Sequence, residues 1–522
     1  MTLRVDGGLA LVGPTSGTCV ACAEEARLAV LGPETPRDAR LGGMIAPMFR
    51  PLIEALGNQD LPDTVIAVRT DLGVVSTHRV HPREHCAPRS ADSTAVPNSP
   101  VPVQKGALRQ PNDLTTVDGL KAALVDLKHG PVIGTFRTGH LPLAMVGAEL
   151  VRDFVIPEAG YGRTADFEEA ERVALFEAVE RHNGMRPRKT TIAAEASFAE
   201  LGHDKALDPE RLGLPDAGHS YTPDLRMRWV HGWSYTRNKP LLVPEQVAYW
   251  AVQTPHEQRF LYETSNGCGL GNSLTEAVLH GLFEIAERDA FLMAWYARTP
   301  LTRIRVPDDP VLPHLVDRLE ELGYELLFLD ATNDIGIPAV LTLARTSRPG
   351  LPQAFFAAGA NPNPTAAMRS AAAEVVVDVE SMVDRIRAKP EDYRDERLRG
   401  LLNAPERIWT MDDHVAVNAL PEAQARHAFF VNDHAPIDLT AEPQHTDLRE
   451  LLDVYRMHLE QLDLELIAVD QSDPVIARKL GLYSAKVIVP GTLPMTFGHL
   501  NRRTTGIPRL RAEQPLHPHP FP

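Results

Sequence analysis

Residues 265–290, SNGCGLGNSLTEAVLHGLFEIAERDA, join a glycine-rich turn directly to a long helical pattern. Within them Glu276, His280, Glu284 and Glu287 are spaced by four, four and three residues, so they fall within an arc of roughly 80° on one helix face. Three carboxylates and an imidazole repel one another unless a cation lies nearby. Mg²⁺ prefers oxygen ligands and often arrives with nucleotide phosphates, so the stretch predicts a site for a magnesium–nucleotide complex.

The turn ahead of this helix is typical of a phosphate-binding loop. Gly267, Gly269 and Gly271 stand at alternate positions, where glycine allows positive φ or a close approach of the backbone. Ser273 is the expected N-cap, with Glu276 at the third helical position. Backbone N–H groups at such a helix start attract anions.

The signature Glu-x-x-Glu-Arg occurs twice, at residues 177–181 and 284–288. Ahead of the first copy, residues 160–164 (GYGRT) predict a second flexible loop that presents Arg163. The Glu and Arg that bound each copy are also ordinary i,i+4 ion pairs. From the helices alone, an amphipathic helix with a solvated acidic face is therefore an open alternative.

These residues resemble the YcaO family, and within it the azoline-forming cyclodehydratases of ribosomally made peptides, over residues 115–522. Four stretches carry the likeness: residues 172–184 (RVALFEAVERHNG), 265–290, 487–510 (beginning VIVPGTLPMTFG) and 518–522 (PHPFP).

The resemblance implies an ATP- and Mg²⁺-dependent enzyme that phosphorylates a backbone amide oxygen of a precursor peptide. A Cys, Ser or Thr side chain first attacks that carbonyl, and loss of phosphate leaves a thiazoline or oxazoline. ATP-driven thioamide or amidine formation is the alternative within the family. A non-catalytic peptide-binding scaffold subunit is the alternative from another class, because Val173 and Val377 stand where the family usually has Ser and Gln.

The resemblance also assigns site residues by position. Expected ligands of nucleotide and magnesium are Glu177, Glu180, Glu276, Glu284 and Glu287, and further nucleotide contacts are Arg163, Arg181, Ser265, Asn266, His280 and Arg288. Arg288 is the expected phosphate contact, since a guanidinium pairs bidentately with phosphate oxygens.

The proline-alternating C-terminus resembles the family tail that reaches back toward the active site. Alternating prolines stiffen a chain at low entropic cost, so the tail is expected to present Pro522 or His519 to the peptide amide. Together with Arg288 these are the candidate catalytic residues. A disordered chain end is the alternative.

Composition favours an enzyme in the cytoplasm. The chain has 522 residues, 43% of them hydrophobic, enough for a substantial core. A net charge of −16 disfavours nucleic acid as a partner. No apolar run reaches the roughly 18 residues of a membrane helix, the first residues lack a signal-peptide pattern, and there is no Walker A or Rossmann motif.

Strand and helix patterns alternate from residue 115 onward, which predicts a mixed α+β catalytic domain over 115–522. Residues 87–114 are rich in Pro and Ser and are predicted to be a linker. Residues 1–86 resemble a shortened end of the E1-like partner proteins and are predicted to be a docking segment. Within them the sequence predicts strands at 9–12 and 64–68 and some helical character over 38–56.

Cys19, Cys22 and Cys86 suggest a degenerate zinc site, with His81 or His85 as fourth ligand; a reduced, unliganded pair is the alternative. Cys268 is expected to be a packing residue. Expected partners are the precursor peptide, an E1-like protein that binds its leader, a flavin-dependent dehydrogenase and a second copy of the chain.

Overall fold

The computed structural model describes residues 3–6, 9–31, 51, 54–55, 60, 62–69, 74–81, 99–138, 143–151, 158–185, 187, 192–215, 221–513 and 515–522. Within them the strands form four sheets in which every pair of neighbouring strands is antiparallel. Helices cover these sheets, as the mixed α and β pattern predicted.

The N-terminal sheet has the order β1-β2-β3-β4. Its elements are β1 (Leu3–Asp6), β2 (Leu9–Val12), α1 (Val20–Leu31), β3 (Thr64–Arg69) and β4 (Val74–Arg79). A small core that includes Leu11, Cys22 and Val65 holds α1 against the sheet. The strands predicted at 9–12 and 64–68 are confirmed, while most of the helical pattern predicted over 38–56 lies outside the described residues.

The remaining strands build three sheets in the body of the molecule. These strands are β5 (Val132–Thr138), β6 (Ala144–Leu150), β7 (Ala159–Thr164), β8 (Ile192–Ala196), β9 (Met227–Ser234), β10 (Lys239–Pro244), β11 (Cys268–Gly271), β12 (Thr302–Arg303), β13 (Glu325–Asp330), β14 (Ala339–Arg345), β15 (Ala354–Ala360), β16 (Ile467–Asp470) and β17 (Tyr483–Ile488). Their orders are β5-β6-β7, β12-β13-β14-β15 and β10-β9-β16-β17-β11, with β8 paired to β9.

The five helices that the periodicity predicts, at about 166–182, 273–297, 311–322, 364–387 and 444–461, are confirmed with ends that differ by a few residues, and the other helices of the body were not predicted. They are α2 (Val117–Leu124), α3 (Phe167–Met185), α4 (Phe198–Leu201), α5 (Glu245–Ala248), α6 (Leu274–Tyr296), α7 (Leu312–Leu322), α8 (Pro364–Ala388), α9 (Asp395–Asn403), α10 (Met411–Asn418), α11 (Gln424–His427), α12 (Leu448–Gln461) and α13 (Pro474–Leu480).

Helix α6 runs through the centre of the body. Ser273 caps it as predicted, accepting a hydrogen bond from the Glu276 amide at 3.2 Å. Gly267 has a φ of +79°, and a Cβ at Gly269 would lie 2.2 Å from the carbonyl oxygen of Ala277. The prediction of a glycine-rich turn is therefore only partly right, because Cys268–Gly271 form strand β11. The glycines let β11 lie directly on α6, which brings the acidic helix face beside the start of that strand.

The prediction of a flexible loop at 160–164 is wrong, because these residues belong to strand β7. A Cβ at Gly160 would lie 2.2 Å from Ala174 O, and one at Gly162 would lie 1.8 Å from Ala170 O. The glycines thus bring β7 against the backbone of α3 and are not there for flexibility.

The described part of the predicted linker, residues 99–114, packs along the body. The Val103 amide donates to Thr446 O and the Gly106 amide to His445 O, both at 2.9 Å, and Val101 is buried. The domain boundaries at 86 and 114 stay predictions. Among the described helices, none has both the length and the apolar character that crossing a membrane requires.

Candidate functional site

Helices α3 and α6 bring their two Glu-x-x-Glu-Arg signatures together. Burial raises the pKa of Glu180 well above its usual range, and the neighbouring carboxylates of Glu284 and Glu177 add to that shift. On α6, Glu276 is fully buried, and the side chains of Glu284 and Glu287 are only 26% and 14% exposed. The alternative of a solvated acidic helix face is therefore wrong.

Glu177 is fixed from two sides. One of its carboxylate oxygens accepts the Tyr161 amide at 2.6 Å, and the other lies 2.9 Å from Arg181 Nη2. Arg181 also pairs with Glu158 at 2.7 Å. Arg181 is therefore held between two carboxylates. Glu177 in turn is held in one orientation by the Tyr161 amide and by Arg181.

The glycine loop and Arg288 hold the acidic face of α6. Glu284 Oε2 accepts the Gly267 amide at 2.7 Å. Arg288 lies between two carboxylates, with Nη2 3.6 Å from Glu284 Oε1 and Nε 3.4 Å from Glu287 Oε1. These distances are long for ion pairs, and Arg288 Nη1 is buried without a hydrogen-bond partner among the described residues. The guanidinium thus retains donors for a phosphate.

The carboxyl of Glu287 has a strongly raised pKa. Burial is the main cause, Arg288 opposes it, and the carboxylates of Glu374 and Glu284 add to it, so that the pKa lies at about 8. Glu374 projects from α8, and its own pKa is raised by burial, with Arg288 and Arg163 opposing that shift. The sequence analysis did not assign Glu374 to the site.

This crowding of carboxylates fits a divalent cation that brings ligands of its own. Among the described residues, no three or more His, Cys, Asp or Glu side chains form a preformed metal cage. Mg²⁺ is commonly bound by one or two carboxylates together with waters and substrate phosphates, so it does not need such a cage. Burial raises the pKa values of Glu180, Glu284 and Glu287, and a bound cation would favour the ionised form of each of these carboxyls.

Arg109 completes the site from within the predicted linker. Its Nη1 lies 3.3 Å from Glu276 Oε1, and its guanidinium covers the ring of Phe176 at 4.9 Å. The Gln110 amide donates to Glu276 Oε2 at 3.1 Å. Sequence reasoning missed Arg109 because its partner is far along the chain and its neighbours have a linker composition.

His280 is a neutral imidazole on the same face of α6. Burial, helped by Arg109, lowers its pKa to about 3. Its Nε2 is buried and has no hydrogen-bond partner in the described part of the chain. The ring packs edge-on against Phe283 at 6.1 Å. A neutral ring with an unused polar atom can donate to, or accept from, a bound ligand.

Ser265 and Asn266 shape the glycine loop through their backbones. Ser265 O accepts the Cys268 amide at 2.8 Å, and Asn266 O accepts from Lys486 Nζ at 2.6 Å. The Asn266 side chain lines a cavity of about 30 Å³ with Glu263 and Lys486. Contact of the two predicted residues with a nucleotide stays a prediction.

The C-terminal tail lies against Arg288. Phe521 is fully buried, and its ring centroid is 4.5 Å from the Arg288 guanidinium. Burial, with His414 and Arg288 nearby, lowers the pKa of His519 well below its usual value. Pro522 is half-buried. The alternative of a disordered end is therefore wrong, whereas the catalytic roles of these residues stay predictions.

The cysteine pair of the N-terminal segment has its sulfur atoms close together. Cys19 Sγ and Cys22 Sγ are 3.5 Å apart. Cys86 lies outside the described residues, so the zinc site stays a prediction. Cys268 is buried and burial raises its thiol pKa, which suits the predicted packing role.

Comparison with known proteins identifies relatives of this chain. A family model described as YcaO cyclodehydratase, ATP- and Mg²⁺-binding, matches residues 161–493. An uncharacterised protein of Methanothermobacter thermautotrophicus is 28% identical over 189 residues, which are 35% of this chain and 47% of that protein. The chain spans less than half the length of the first relatives that it matches.

Two solved structures share the fold. A heterocyclase in complex with substrate and cofactor has a TM-score of 0.70 and 21% identity, and the match covers 95% of this chain and 74% of that one. YcaO from Methanopyrus kandleri, bound with AMPPCP and Mg²⁺, has a TM-score of 0.51 and 20% identity, and the match covers 69% of this chain and 86% of that one.

Proposed function

This chain belongs to the YcaO family, and we propose that it catalyses ATP- and Mg²⁺-dependent cyclodehydration of Cys, Ser or Thr in a ribosomally made peptide. The observation that carries the proposal is the set of buried carboxyls that α3, α6 and α8 gather beside Arg288, among them Glu287 with a pKa near 8. So many acidic groups in one place favour a cation as ligand.

In this proposal the carboxylates of Glu177, Glu180, Glu276, Glu284 and Glu287 bind the magnesium–nucleotide complex. When bound, magnesium would neutralise phosphate charge, and ATP would supply the phosphoryl group that turns the amide oxygen into a leaving group. The protein's own contribution is then positioning and charge complementarity. The Gly267 amide supports this role because it already fixes Glu284 at 2.7 Å.

We assign phosphate binding to the arginines of the site. Arg288 Nη1 and Arg163 Nε are both buried without a hydrogen-bond partner among the described residues. A buried guanidinium N–H that stays unpaired costs free energy, so these groups favour an anionic ligand. His280 and Arg109 would then contact the nucleotide beside Glu276, where Arg109 already lies 3.3 Å from the carboxylate.

The tail would orient the peptide amide. His519 is buried, and its lowered pKa keeps the imidazole neutral, so that Nδ1, which has no hydrogen-bond partner among the described residues, can exchange a proton with the reacting group. The terminal carboxylate of Pro522 is the second candidate base. The contact between Phe521 and Arg288, which holds the chain end beside the site, supports both assignments.

The test combines peptide mass and ADP release, measured with ATP, Mg²⁺, precursor peptide and a leader-binding partner. We expect one water's mass to be lost per modified residue, and Glu287→Gln to abolish it, because an amide cannot serve as an anionic ligand. Glu320→Gln, at an exposed position of α7, is the matched control. A sulfur-for-oxygen gain in mass with ADP release would instead indicate thioamide formation.

Tight peptide binding without ADP release would make the chain a scaffold and refute the proposed activity. The N-terminal segment, residues 1–86, is proposed to dock the E1-like partner, and the small sheet that it forms supports an independent unit. We place the reaction in the cytoplasm, where ATP is available. A second copy of the chain and a flavin-dependent dehydrogenase are proposed as further partners.

A further inference from the structure

Trp409, just ahead of α10, is an exposed aromatic residue on a well-anchored backbone. It is 57% exposed, whereas the other four tryptophans are buried or half-buried. Ile408, which precedes it, is fully buried, and its carbonyl oxygen accepts the His499 amide at 3.0 Å. The Trp409 amide donates to Asp413 at 3.4 Å, within the capping box that starts α10. The exposure of the ring is therefore not that of a loose loop.

The exposed ring lies close to the C-terminal part of the candidate site. Gly498 packs against it, since a Cβ at this glycine would lie 3.5 Å from Trp409 Cε3. The Gly498 amide donates to His414 Nε2 at 3.2 Å, and the His414 ring centroid is 4.3 Å from that of His519. One glycine and one imidazole thus separate Trp409 from a group proposed to act on the peptide amide.

Two further apolar side chains extend this surface. Phe497 is half-buried, and its ring centroid lies 6.0 Å from those of both His414 and His519. Met411, the first residue of α10, is 43% exposed. Apolar side chains that stay exposed beside a site typically mark ligand contacts, and tryptophan is enriched among the residues that carry binding energy.

The start of α10 also borders the acidic side of the site. Burial raises the pKa of Asp378 on α8, Arg385 and Arg163 oppose that shift, and the carboxylate of Asp412 adds to it. Asp412 in turn pairs with Lys389, beyond the end of α8, at 3.4 Å. Residues 409–412 therefore lie between the C-terminal tail and the helix that carries Glu374.

We propose that Trp409, Met411 and Phe497 form a peptide platform, a surface that binds an apolar side chain of the substrate peptide near the residue that is cyclised. Continuity identifies this occupant, because the surface begins at the exposed ring and ends at His519. An extended chain advances about 3.3 Å per residue, so the platform would contact the peptide about two or three residues from the reacting amide. The platform defines a substrate preference and rests on the proposed function.

The first test follows acrylamide quenching of tryptophan fluorescence in the full-length protein. It reports on Trp409, the only exposed one of the five tryptophans, all of which the structure describes. The probes are two short synthetic peptides with a central Cys among glycines, one with Leu and the other with Ser at the flanking positions that would reach the platform. We expect the Leu peptide to shield Trp409 and to bind about tenfold tighter than the Ser peptide.

Variants test the same preference by calorimetric titration. Trp409→Ala should lose the preference for Leu, and Trp409→Phe should retain most of it because an aromatic ring remains. Val454→Ala, at a residue of α12 that is 55% exposed, is the control and should bind both peptides as the wild type does. With ATP, Mg²⁺ and the leader-binding partner, Trp409→Ala should raise the KM for the precursor peptide about tenfold and change kcat less than about twofold.

Several outcomes would overturn the platform. A Leu peptide that binds without shielding Trp409, or no shielding at peptide concentrations of about 1 mM, would do so. Weak quenching in the free wild type that increases when a dimer dissociates on dilution would show that a second copy of the chain covers the ring instead. Shielding without any wild-type turnover would refute the proposed activity alone and leave the platform in place.

Discussion

At the scale of single residues, Lys486 is a buried cation that holds the glycine loop in place. Its Nζ donates to Asn266 O at 2.6 Å and to Thr264 O at 3.1 Å. It also lies 3.5 Å from Glu263, which pairs with Arg503 at 3.0 Å. The loop that Lys486 anchors ends in the Gly267 amide, which binds Glu284. A residue outside the nucleotide site thus sets the position of one of its carboxylates.

We therefore predict that Lys486→Met destabilises the fold by about 2–4 kcal/mol, since it leaves buried carbonyls unsatisfied and a buried carboxylate with one partner fewer. Nucleotide affinity should also fall, because Glu284 loses its fixed position. Urea unfolding and calorimetric titration with ATP and Mg²⁺ measure the two effects. Lys389→Met, at a side chain that is 61% exposed, should change neither. Unchanged nucleotide affinity in Lys486→Met would show that the loop does not set the position of Glu284 in the site.

The imidazole of His414 predicts how stability depends on pH. Burial lowers its pKa to about 4, so the folded protein binds fewer protons there than the unfolded chain, whose histidine titrates near 6.5. The contribution of His414 is therefore complete above about pH 6.5 and is lost as the pH falls toward 4. The loss between pH 7 and pH 5 is about 2 kcal/mol.

Chemical unfolding at pH 7 and at pH 5 checks this, by comparing the wild type with His414→Asn. The variant cannot titrate, so the difference between its two free energies of unfolding should be smaller than that of the wild type by about the same amount. An equal pH dependence in both proteins would show that His414 is not the group responsible.

Individual site residues were predictable where the helical period places them. Glu276, His280, Glu284 and Glu287 share one face of α6 because their spacing of four, four and three residues follows the helical period. Arg109, Glu374 and His414 were missed because their partners are distant in sequence, and nothing local distinguishes them from residues of an ordinary linker or helix. Long-range pairing is a property of the fold and is not encoded in local spacing.

At the scale of elements, glycines decide how closely strands lie on helices. The cluster at 160–164 is typical of a turn, yet tertiary packing makes it a strand whose glycines face α3. In the same way, the absence of a side chain at Gly269 lets β11 lie on α6. A glycine-rich pattern identifies close approach of the backbone but not what approaches it, which is why residues 160–164 and 268–271, both predicted as loops, are strands that lie on helices.

We predict that Gly162→Ala costs about 2–4 kcal/mol, because its Cβ would lie 1.8 Å from Ala170 O and must push β7 away from α3. That shift also moves the Tyr161 amide away from Glu177, so nucleotide affinity should fall together with stability. Gly134→Ala on β5, at the other edge of the same sheet, is the matched control, since its Cβ would meet nothing within 4 Å. Thermal unfolding and ATP titration compare the two; similar losses in both would contradict the packing argument.

At the scale of the whole molecule, the N-terminal sheet is joined to the body by a few polar contacts. Asp63 is 3% exposed, accepts from Thr18 N and Thr18 Oγ1 at 2.7 Å each, and forms an ion pair with Arg478 of α13. His81 Nδ1 lies 3.5 Å from Asp473, at the start of the same helix. The small segment therefore docks on α13. It also docks on residues 123–129, where His78 pairs with Asp126 and His129 Nδ1 lies 3.1 Å from Ala23 O.

Removing the Arg478 side chain should loosen this docking without touching the nucleotide site. Asp63 would keep its hydrogen bonds from Thr18 but would lose its ion pair with Arg478. Because Arg478 is 54% exposed, we expect the free energy that holds the segment to fall by only about 1 kcal/mol. This loss should be seen as severalfold faster proteolysis of the N-terminal segment. ATP affinity should stay unchanged in Arg478→Ala, and Lys479→Ala on the same helix should match the wild type in both measurements. A fall in ATP affinity together with faster proteolysis would show that the segment is part of the catalytic unit. Only a segment that is energetically coupled to the site could change ATP binding at the acidic face of α6 through a substitution on α13.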